Sequence, residues 1–157
     1  MTRALVALGS NLGDRARTIE AACEAICRLP GTCVVARSTL RETAPVGGPE
    51  QGPFLNGAAE VETRLPAREL LEGLLAIERE LGRIRRELNG PRTIDLDLIL
   101  FGDAVVSEAG LELPHPRFRE RRFVLEPLAE VAPDARDPVT GRSIAQLLAE
   151  LEPVKPA

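Results

Sequence analysis

A short apolar run that carries two carboxylates at alternate positions constrains this sequence more than any other stretch. Residues Ile94 to Phe101 read IDLDLILF, with Gly-Pro just before the run and Gly102 after it. A segment so rich in Ile and Leu, bounded by turn residues, predicts a buried strand. Side chains alternate along a strand, so we expect Asp95 and Asp97 on one face, with Cα atoms about 6–7 Å apart. The same alternation predicts a set of core-facing residues on the other face: Ile94, Leu96, Leu98 and Leu100.

Two like charges on one half-buried face require a nearby cation. An unpaired buried carboxylate is costly or else binds a proton. Mg²⁺ suits such a site, because it keeps several waters and takes one or two carboxylates plus substrate phosphates. Two such ions about 4 Å apart would form a clamp for phosphoryl transfer. The alternative is that the aspartates pair with Arg residues on a solvated sheet face.

Basic residues are concentrated just before the two aspartates. The cluster consists of Arg83, Arg85, Arg86 and Arg92. Guanidinium groups bind phosphate oxygens and carboxylates bind metal ions, so their convergence on one surface is typical of a site for a nucleotide triphosphate.

The composition narrows the class of protein. A length of 157 residues predicts a single domain over residues 1–157. The net charge of −4 argues against a nucleic-acid partner and favours a small anionic substrate. No apolar stretch approaches the roughly 20 residues of a membrane span, and no signal-peptide pattern is present, so we expect a cytoplasmic protein without membrane contact. Three cysteines with one histidine argue against a zinc site.

The order of predicted elements indicates a fold. Turn residues and apolar periodicity predict strands at 3–8, 32–41, 54–63, 94–101 and 104–106, an extended segment at 111–116, and helices at 14–29, 66–82, 121–131 and 143–151. Asp14 and Ser143 are predicted helix caps. Residues Pro45 to Pro53 contain three Pro and three Gly and predict an exposed loop. This order is that of an α+β, ferredoxin-like βαββαβ sandwich with an appended hairpin and C-terminal helices.

Six segments carry a specific family resemblance. They are GSNLGD at 9–14, T-x-P at 43–45, FLN at 54–56, GRIRR at 82–86, GPRTIDLDLILFG at 90–102 and LPHPRFRERRFVLEPL at 113–128. In this order and spacing the sequence closely resembles the 6-hydroxymethyl-7,8-dihydropterin pyrophosphokinases, enzymes of the folate pathway. The resemblance spans nearly the whole chain. It implies transfer of pyrophosphate from ATP to the hydroxymethyl group of the pterin, with release of AMP.

The resemblance also implies roles for individual residues. Asp95 and Asp97 would hold two Mg²⁺ ions, and Arg83 and Arg92 match the catalytic-loop arginines of the family. The residues implied to contact the co-substrate ATP are Arg85, Leu98, His115 and Arg121. Those implied to bind the pterin are Phe54 and Phe123, by stacking, with Asn56, Thr43, Pro45 and Val46 at its amide edge. Glu78 matches a supporting position, and a monomer is expected.

The sequence departs from the family pattern at three places. Leu88-Asn89 stands where well-known members have Arg-Trp, Gly110 replaces an arginine of some members, and Pro116 replaces a tyrosine. Two other classes of function compete with the pyrophosphokinase. One is a non-catalytic ferredoxin-like module that binds a small ligand and regulates a partner. The other is a metal-dependent nuclease or nucleotidyltransferase, which would need a basic groove that the acidic composition does not support.

Overall fold

The strand that carries the two aspartates lies at one edge of an antiparallel sheet. The computed structural model describes residues 1–11, 14–43, 54–85 and 94–151, with side chains for all of these except 83–85. Its elements are β1 (Thr2–Ser10), α1 (Arg15–Cys27), β2 (Thr32–Arg37), β3 (Arg41–Thr43), β4 (Phe54–Thr63), α2 (Ala67–Arg85), β5 (Ile94–Phe101), β6 (Val106–Glu108), β7 (Leu111–Leu113), a 3₁₀ turn (Phe118–Glu120), α3 (Arg122–Val131) and α4 (Ile144–Glu150).

The strand order confirms the predicted fold class. Strands run β2-β4-β1-β5 across the sheet, and β3 pairs with the other end of β4. The connections β1-α1-β2 and β4-α2-β5 give two interleaved split βαβ units, which is the ferredoxin-like arrangement. The appended hairpin is formed by β6 and β7, and α3 and α4 follow it. Among the described residues, no helix is long and apolar enough to span a membrane.

Helix ends and apolar stripes follow the sequence pattern closely. The Asp14 side chain accepts a hydrogen bond from the Arg17 N–H, and Ser143 and Gln146 form a reciprocal capping box, so both predicted caps are confirmed. In α2 the predicted stripe of Leu70, Leu74, Ile77 and Leu81 is buried or partly buried. That helix does not end at Gly82 as predicted but continues to Arg85, since one glycine costs a helix only about 1 kcal/mol.

Helices cover the two faces of the sheet unequally. Helices α1 and α2, together with β7, pack on one face, which we call the α1/α2 face, against alternate residues from Ala4 to Leu8 of β1 and from Ile94 to Leu98 of β5. Helices α3 and α4 cover the other, the α3/α4 face, where a second cluster is built around fully buried Phe118, Leu125, Leu128 and Ile144. Each Leu, Ile or Phe buried in these clusters contributes about 1.5–3 kcal/mol of transfer free energy.

A β-bulge in β5 overturns one predicted facing. Leu5 pairs with Leu100 and Val6 pairs with Leu98, so Ile99 is an extra residue in the ladder. The extra residue reverses the alternation, and Leu100 packs with the α3/α4 cluster instead of with Ile94, Leu96 and Leu98. The prediction that all four share one face is therefore correct for three residues and wrong for Leu100.

The strand predicted at 32–41 contains two further irregularities: Val35 is an extra residue between Val34 and Ala36, and a bulge at 38–40 divides the strand. Arg37 pairs with Ala59 and Arg41 with Asn56, so three residues, 38–40, stand opposite two. Ser38 fills the gap in the ladder, because its N–H donates to the Ala58 carbonyl and its Oγ accepts from the Ala58 N–H, both at 2.9 Å. The single predicted strand is thus two strands, β2 and β3.

Smaller boundary errors have local causes. β1 extends through Gly9 and Ser10, predicted as a turn, because both residues pair with β4 and β5. The turn at Gly102 is confirmed, with φ of 53°. The strand predicted at 104–106 lies instead at Val106–Glu108 and pairs with β7. The predicted loop from Pro45 to Pro53 lies outside the described residues.

Candidate active site

Small residues on the central strand make room between the aspartates and β4. In the sheet register Asp95 lies opposite Gly9 and Asp97 opposite Ala7, and Gly9 in turn lies opposite Asn56. Larger side chains on β1 would fill the space above the sheet here. The α3/α4 face is therefore open at the end where the aspartates stand.

This opening is a pocket of about 290 Å³, which we call the sheet pocket. It is lined by Ala7, Leu8, Gly9, Thr43, Phe54, Asn56, Gly57, Asp95, Asp97, Arg121, Phe123 and Val124. Phe123 is 36% exposed, and the Arg121 guanidinium carbon lies 5.8 Å from the centre of its ring. Two aromatic rings, one amide and few charges are suited to a flat, weakly polar ligand.

The Asn56 side chain is held in one orientation. Its Nδ2 donates to Thr43 Oγ1 at 2.5 Å, and the residue is buried. A Cβ atom placed on Gly9 would lie 3.1 Å from Asn56 Oδ1 and 3.7 Å from the Phe54 ring. Oδ1 therefore lies over Gly9 as an acceptor for an N–H group of a ligand, and glycine at position 9 leaves it accessible.

A second pocket, of about 430 Å³, lies between β5, α2 and the β6–β7 hairpin. We call it the hairpin pocket. It is lined by Leu71, Leu75, Glu78, Asp95, Leu96, Asp97, Leu98, Glu108, Gly110, Leu111, Glu112, Leu113, His115 and Pro116. Asp95 and Asp97 line both pockets, so the carboxylates stand at the border between the two spaces.

Glu78 attaches the aspartate segment to helix α2. Its Oε2 accepts from the Leu96 N–H at 2.6 Å, between the two aspartates. Burial raises the Glu78 pKa to about 7; the Leu96 hydrogen bond lowers it, and the charges of Asp95 and Asp97 raise it further. Burial also raises the pKa of Asp95, and the Asp97 charge adds to that effect. Three carboxylates therefore share a region of crowded negative charge.

The histidine is positioned by the bulge in β5. The His115 N–H donates to the carbonyl of Ile99, the extra residue of the bulge, at 2.9 Å. Burial lowers the His115 pKa; the Asp97 charge opposes this effect, and the Arg121 charge adds to it. The neutral imidazole is thereby favoured near pH 7, and it can both donate and accept a hydrogen bond.

Most of the predicted site residues come together. The sheet pocket contains Thr43, Phe54, Asn56, Arg121 and Phe123, the hairpin pocket contains Leu98 and His115, and both contain Asp95 and Asp97. Pro45, Val46 and Arg92 lie outside the described residues. Arg83 and Arg85 belong to the last turn of α2, and their side chains are not described.

Sequence reasoning missed the floor of the sheet pocket. Ala7 and Gly9 alternate with Val6 and Leu8 in β1, and this small-versus-large alternation could have indicated the open face. It also missed Glu108 and Glu112 of the hairpin, which no motif distinguishes from other surface carboxylates.

The donor set at the border of the pockets fits magnesium better than a metal enclosed by protein ligands. The described residues hold no group of three or more His, Cys, Asp or Glu side chains arranged for a metal ion. Within the same residues neither Asp95 nor Asp97 has a salt-bridge partner, which leaves the alternative of Arg-paired aspartates without support there. Mg²⁺ is commonly bound by one or two carboxylates, with substrate phosphates and water completing its coordination shell.

Comparison with known proteins places the chain in a family. A family profile for 7,8-dihydro-6-hydroxymethylpterin-pyrophosphokinase (HPPK) matches residues 5–133. The 2-amino-4-hydroxy-6-hydroxymethyldihydropteridine pyrophosphokinase of Methylorubrum extorquens is 46% identical over 153 residues, covering 98% of this chain and 96% of the relative. The enzyme of that name from Pseudomonas aeruginosa is 47% identical over 147 residues, covering 94% and 90%.

A solved structure supports the fold. The Plasmodium falciparum HPPK-DHPS crystallised with pteroate superposes with a TM-score of 0.72 at 16% identity, over 96% of this chain and 42% of that one. At this identity the likeness supports the fold alone, and the chain spans less than half of that longer protein. The profile and the two near-full-length relatives are decisive: the chain belongs to the 7,8-dihydro-6-hydroxymethylpterin-pyrophosphokinase family.

Proposed function

We propose that Asp95 and Asp97 hold two Mg²⁺ ions for the transfer of pyrophosphate between substrates bound in the two pockets. The chain is an enzyme of folate biosynthesis, a pterin pyrophosphokinase that uses ATP as co-substrate. The proposal assigns this activity to particular residues. The observation that carries it is that both pockets share the same two aspartates.

The sheet pocket is proposed to bind the pterin. Phe54 and Phe123 supply faces on which a flat heterocycle can stack. Asn56 Oδ1 supplies an acceptor for the N–H groups at the amide edge, because its Nδ2 is already engaged by Thr43. Pro45 and Val46, which lie outside the described residues, belong to this proposal only through the family resemblance.

The hairpin pocket is proposed to bind ATP. His115 and Leu98 line it, and Arg121 lines the neighbouring sheet pocket, from which its charge acts on His115. The carboxylates Glu108 and Glu112 at the hairpin would repel phosphates, so the triphosphate belongs near the aspartates and the base belongs towards the hairpin. Arg83, Arg85 and Arg92 are the proposed additional partners of the phosphates.

The reaction joins the two pockets at the aspartates. The pterin hydroxymethyl oxygen loses its proton to solvent and forms a bond to the β-phosphorus of ATP, the bond from that phosphorus to the α–β bridging oxygen breaks, and AMP leaves. The protein's part is to hold the two substrates in line and to supply charges that are already oriented. Asp95 and Asp97 would hold the Mg²⁺, which when bound would neutralise negative charge on the phosphates.

The test is AMP formation from ATP with and without 6-hydroxymethyl-7,8-dihydropterin, across a Mg²⁺ titration that starts in EDTA. We expect AMP only when pterin and Mg²⁺ are both present. AMP without pterin would support a nuclease or nucleotidyltransferase, and no AMP under any condition would support a regulatory module. Full turnover in EDTA would contradict the metal assignment alone.

The remaining expectations from the sequence stay part of the proposal. These are a single domain over residues 1–157, a monomer as the working unit, and a cytoplasmic location. Analytical ultracentrifugation with and without both substrates tests the monomer.

A further inference from the structure

The wall of the sheet pocket that carries Thr43 is attached to the rest of the sheet in an unusual way. β3 has only three residues, and it is joined to β2 through the bulge at 38–40. A bulge redirects the chain that follows it. The direction of β3 therefore depends on what fixes residues 38–40.

Helix α3 supplies that attachment through one carboxylate. Glu130 Oε2 accepts from the Thr39 N–H at 2.8 Å, and Oε1 accepts from Thr39 Oγ1 at 2.9 Å and from Arg41 Nη2 at 3.2 Å. We call these three bonds the Glu130 clamp. Thr39 lies inside the bulge and Arg41 is the first residue of β3, so the clamp holds both the bend and the strand that leaves it.

The other face of β3 is held as well. Glu42 pairs with Arg15 at the start of α1 at 2.6 Å, while Arg41 also lies 3.9 Å from Glu126 of α3. Successive residues of a strand face opposite sides of the sheet, so α1 and α3 hold β3 from its two faces. Three residues held in this way have little freedom to shift along β4.

Through β3, the Glu130 clamp positions the side-chain amide of Asn56, the proposed contact of the pterin. In the register of β3 on β4, Arg41 lies opposite Asn56 and Thr43 lies opposite Phe54. Thr43 Oγ1 accepts the Nδ2 hydrogen bond that leaves Asn56 Oδ1 free for a ligand. A displacement of β3 would move Thr43 away from Asn56 and release the amide from its fixed orientation.

The clamp also joins the two walls of the pocket. Helix α3 begins beside Phe123, which lines the sheet pocket, and ends beside Glu130. β3 and β4 supply Thr43 and Phe54 to the same pocket. Glu130 therefore connects the helix that carries one aromatic ring to the strand that orients the amide.

We propose that Glu130 is a positioning residue for the pterin: by holding Thr39 and Arg41 it fixes β3, and through Thr43 it sets the orientation of Asn56. This inference rests on the proposed assignment of the sheet pocket to the pterin. The clamp is largely exposed, so its contribution to folding is small and its effect falls on ligand recognition.

The test compares the variants Glu130→Ala and Glu130→Gln with wild type. Glu130→Ala should raise the KM for hydroxymethyl-dihydropterin about fivefold, as expected for a residue that acts through its neighbours. The KM for ATP should change less than about twofold and the melting temperature by less than about 3 °C. Glu130→Gln keeps an acceptor for Thr39 and should recover part of the pterin KM.

The matched control is Glu20→Ala. Glu20 accepts from Arg37 Nη2 at 2.6 Å, an exposed ion pair that ties α1 to β2 just before the bulge. Its loss should leave both KM values at wild type. The NMR shifts of the Asn56 side-chain amide should move in Glu130→Ala and not in Glu20→Ala.

Several results would overturn the proposal. Equal increases in the KM for pterin and for ATP would indicate general loosening, and a wild-type pterin KM in Glu130→Ala would remove the positioning role. A loss of melting temperature well above 3 °C in Glu130→Ala, with the NMR shifts of the Asn56 side-chain amide unchanged, would show a purely structural residue. Failure of the proposed function is seen separately, as absence of pterin-dependent AMP in the wild type.

Discussion

The two faces of the sheet use the same strands for opposite purposes. On the α1/α2 face, apolar side chains from Ala4 to Leu8 of β1 and from Ile94 to Leu98 of β5 enter one cluster. On the α3/α4 face the apolar cluster includes Leu5 and Leu100 but ends at Ala7. From Ala7 onward the same face carries Gly9 and the two aspartates, and α3 borders this part of the face at Phe123 and Val124.

The difference between the two faces shows how a small protein can accommodate a charged site. Alternation along a strand lets adjacent residues belong to the core and to the pocket, so the site needs no separate structural element. Leu96 is 2% exposed while its neighbours Asp95 and Asp97 line both pockets. Buried apolar clusters stabilise both faces, but the α3/α4 face also carries the two like charges. Without ligands, the folded protein would be more stable if these charges were absent.

The largest effect should come from removing an aspartate from the open face. Asp97→Ala should lower kcat about a thousandfold or more, since a catalytic metal ion contributes several kcal/mol to the transition state. The free energy of unfolding in EDTA should stay the same or rise, because a repulsive pair is removed. Steady-state AMP formation and urea denaturation measure the two quantities.

Asp103→Ala is the control for that substitution. Asp103 follows the same strand in the turn after Gly102 and is exposed, but it lines neither pocket. Its loss should leave kcat unchanged. Wild-type kcat in Asp97→Ala at saturating Mg²⁺ would remove the metal from this position.

A substitution on the α1/α2 face should have the opposite result, a loss of stability with unchanged activity. Ile26 of α1 is fully buried in the α1/α2 cluster, so Ile26→Ala should lower the free energy of unfolding by about 3 kcal/mol, through lost burial and the cavity left behind. At a temperature well below its melting point, kcat and both KM values should match wild type. A changed pterin KM would mean that the two faces are coupled.

The pH dependence of stability should reveal the crowded carboxylates. Because the Glu78 pKa is raised from 4.5 to about 7, its carboxylic acid is favoured by the folded state, and the stability from this group is full below pH 4.5 and is lost as pH rises through 7. In EDTA the melting temperature should fall by about 2–4 °C between pH 5 and pH 8 on this account.

Glu78→Gln isolates this effect. Glutamine keeps an acceptor for the Leu96 N–H but does not titrate. The lowered pKa of His115 acts in the opposite direction over the same pH range, because neutral histidine is favoured by the folded state and that contribution grows as pH rises. The difference between wild type and Glu78→Gln removes the His115 contribution. Parallel pH curves for the two proteins would show that Glu78 is ionised throughout.

The sequence was sufficient to predict the fold class, because period and turn chemistry are local. Strand β4, both helix caps and the facing of Asp95 and Asp97 follow from such local rules. The bulges at Ile99 and at 38–40 could not be predicted from local patterns. Whether Ile99 is an extra residue depends on what Leu5 and Val6 of another strand require, and the break at 38–40 depends on Ser38, Gly57 and Glu130 together.

The site residues divide in the same way, into those that a local motif identifies and those whose role depends on distant parts of the chain. Asp95, Asp97 and the His115 segment stand in motifs that identify them. Ala7 and Gly9 are ordinary strand residues until β4 and β5 are placed on either side of them. The role of Glu130 depends on a hydrogen bond between residues 91 positions apart, which no local pattern contains.

The smallest expected effect is seen by comparing two phenylalanines that lie on opposite faces of the sheet. Phe54 lines the sheet pocket, whereas Phe101, at the end of β5, packs against the α1/α2 cluster. Phe54→Ala should raise the pterin KM by a factor corresponding to about 1 kcal/mol, the typical energy of an aromatic stacking contact, with the ATP KM unchanged. Phe101→Ala should instead lower the melting temperature and leave the pterin KM at its wild-type value, because its ring packs against the α1/α2 cluster. Steady-state kinetics with each substrate varied in turn, together with thermal melts, separate the two outcomes.

If Phe54→Ala raises both KM values equally, the ring packs the protein and does not stack on the pterin. If Phe101→Ala raises the pterin KM, the covered face contributes to recognition, and the separation between the two faces is less complete than their packing indicates.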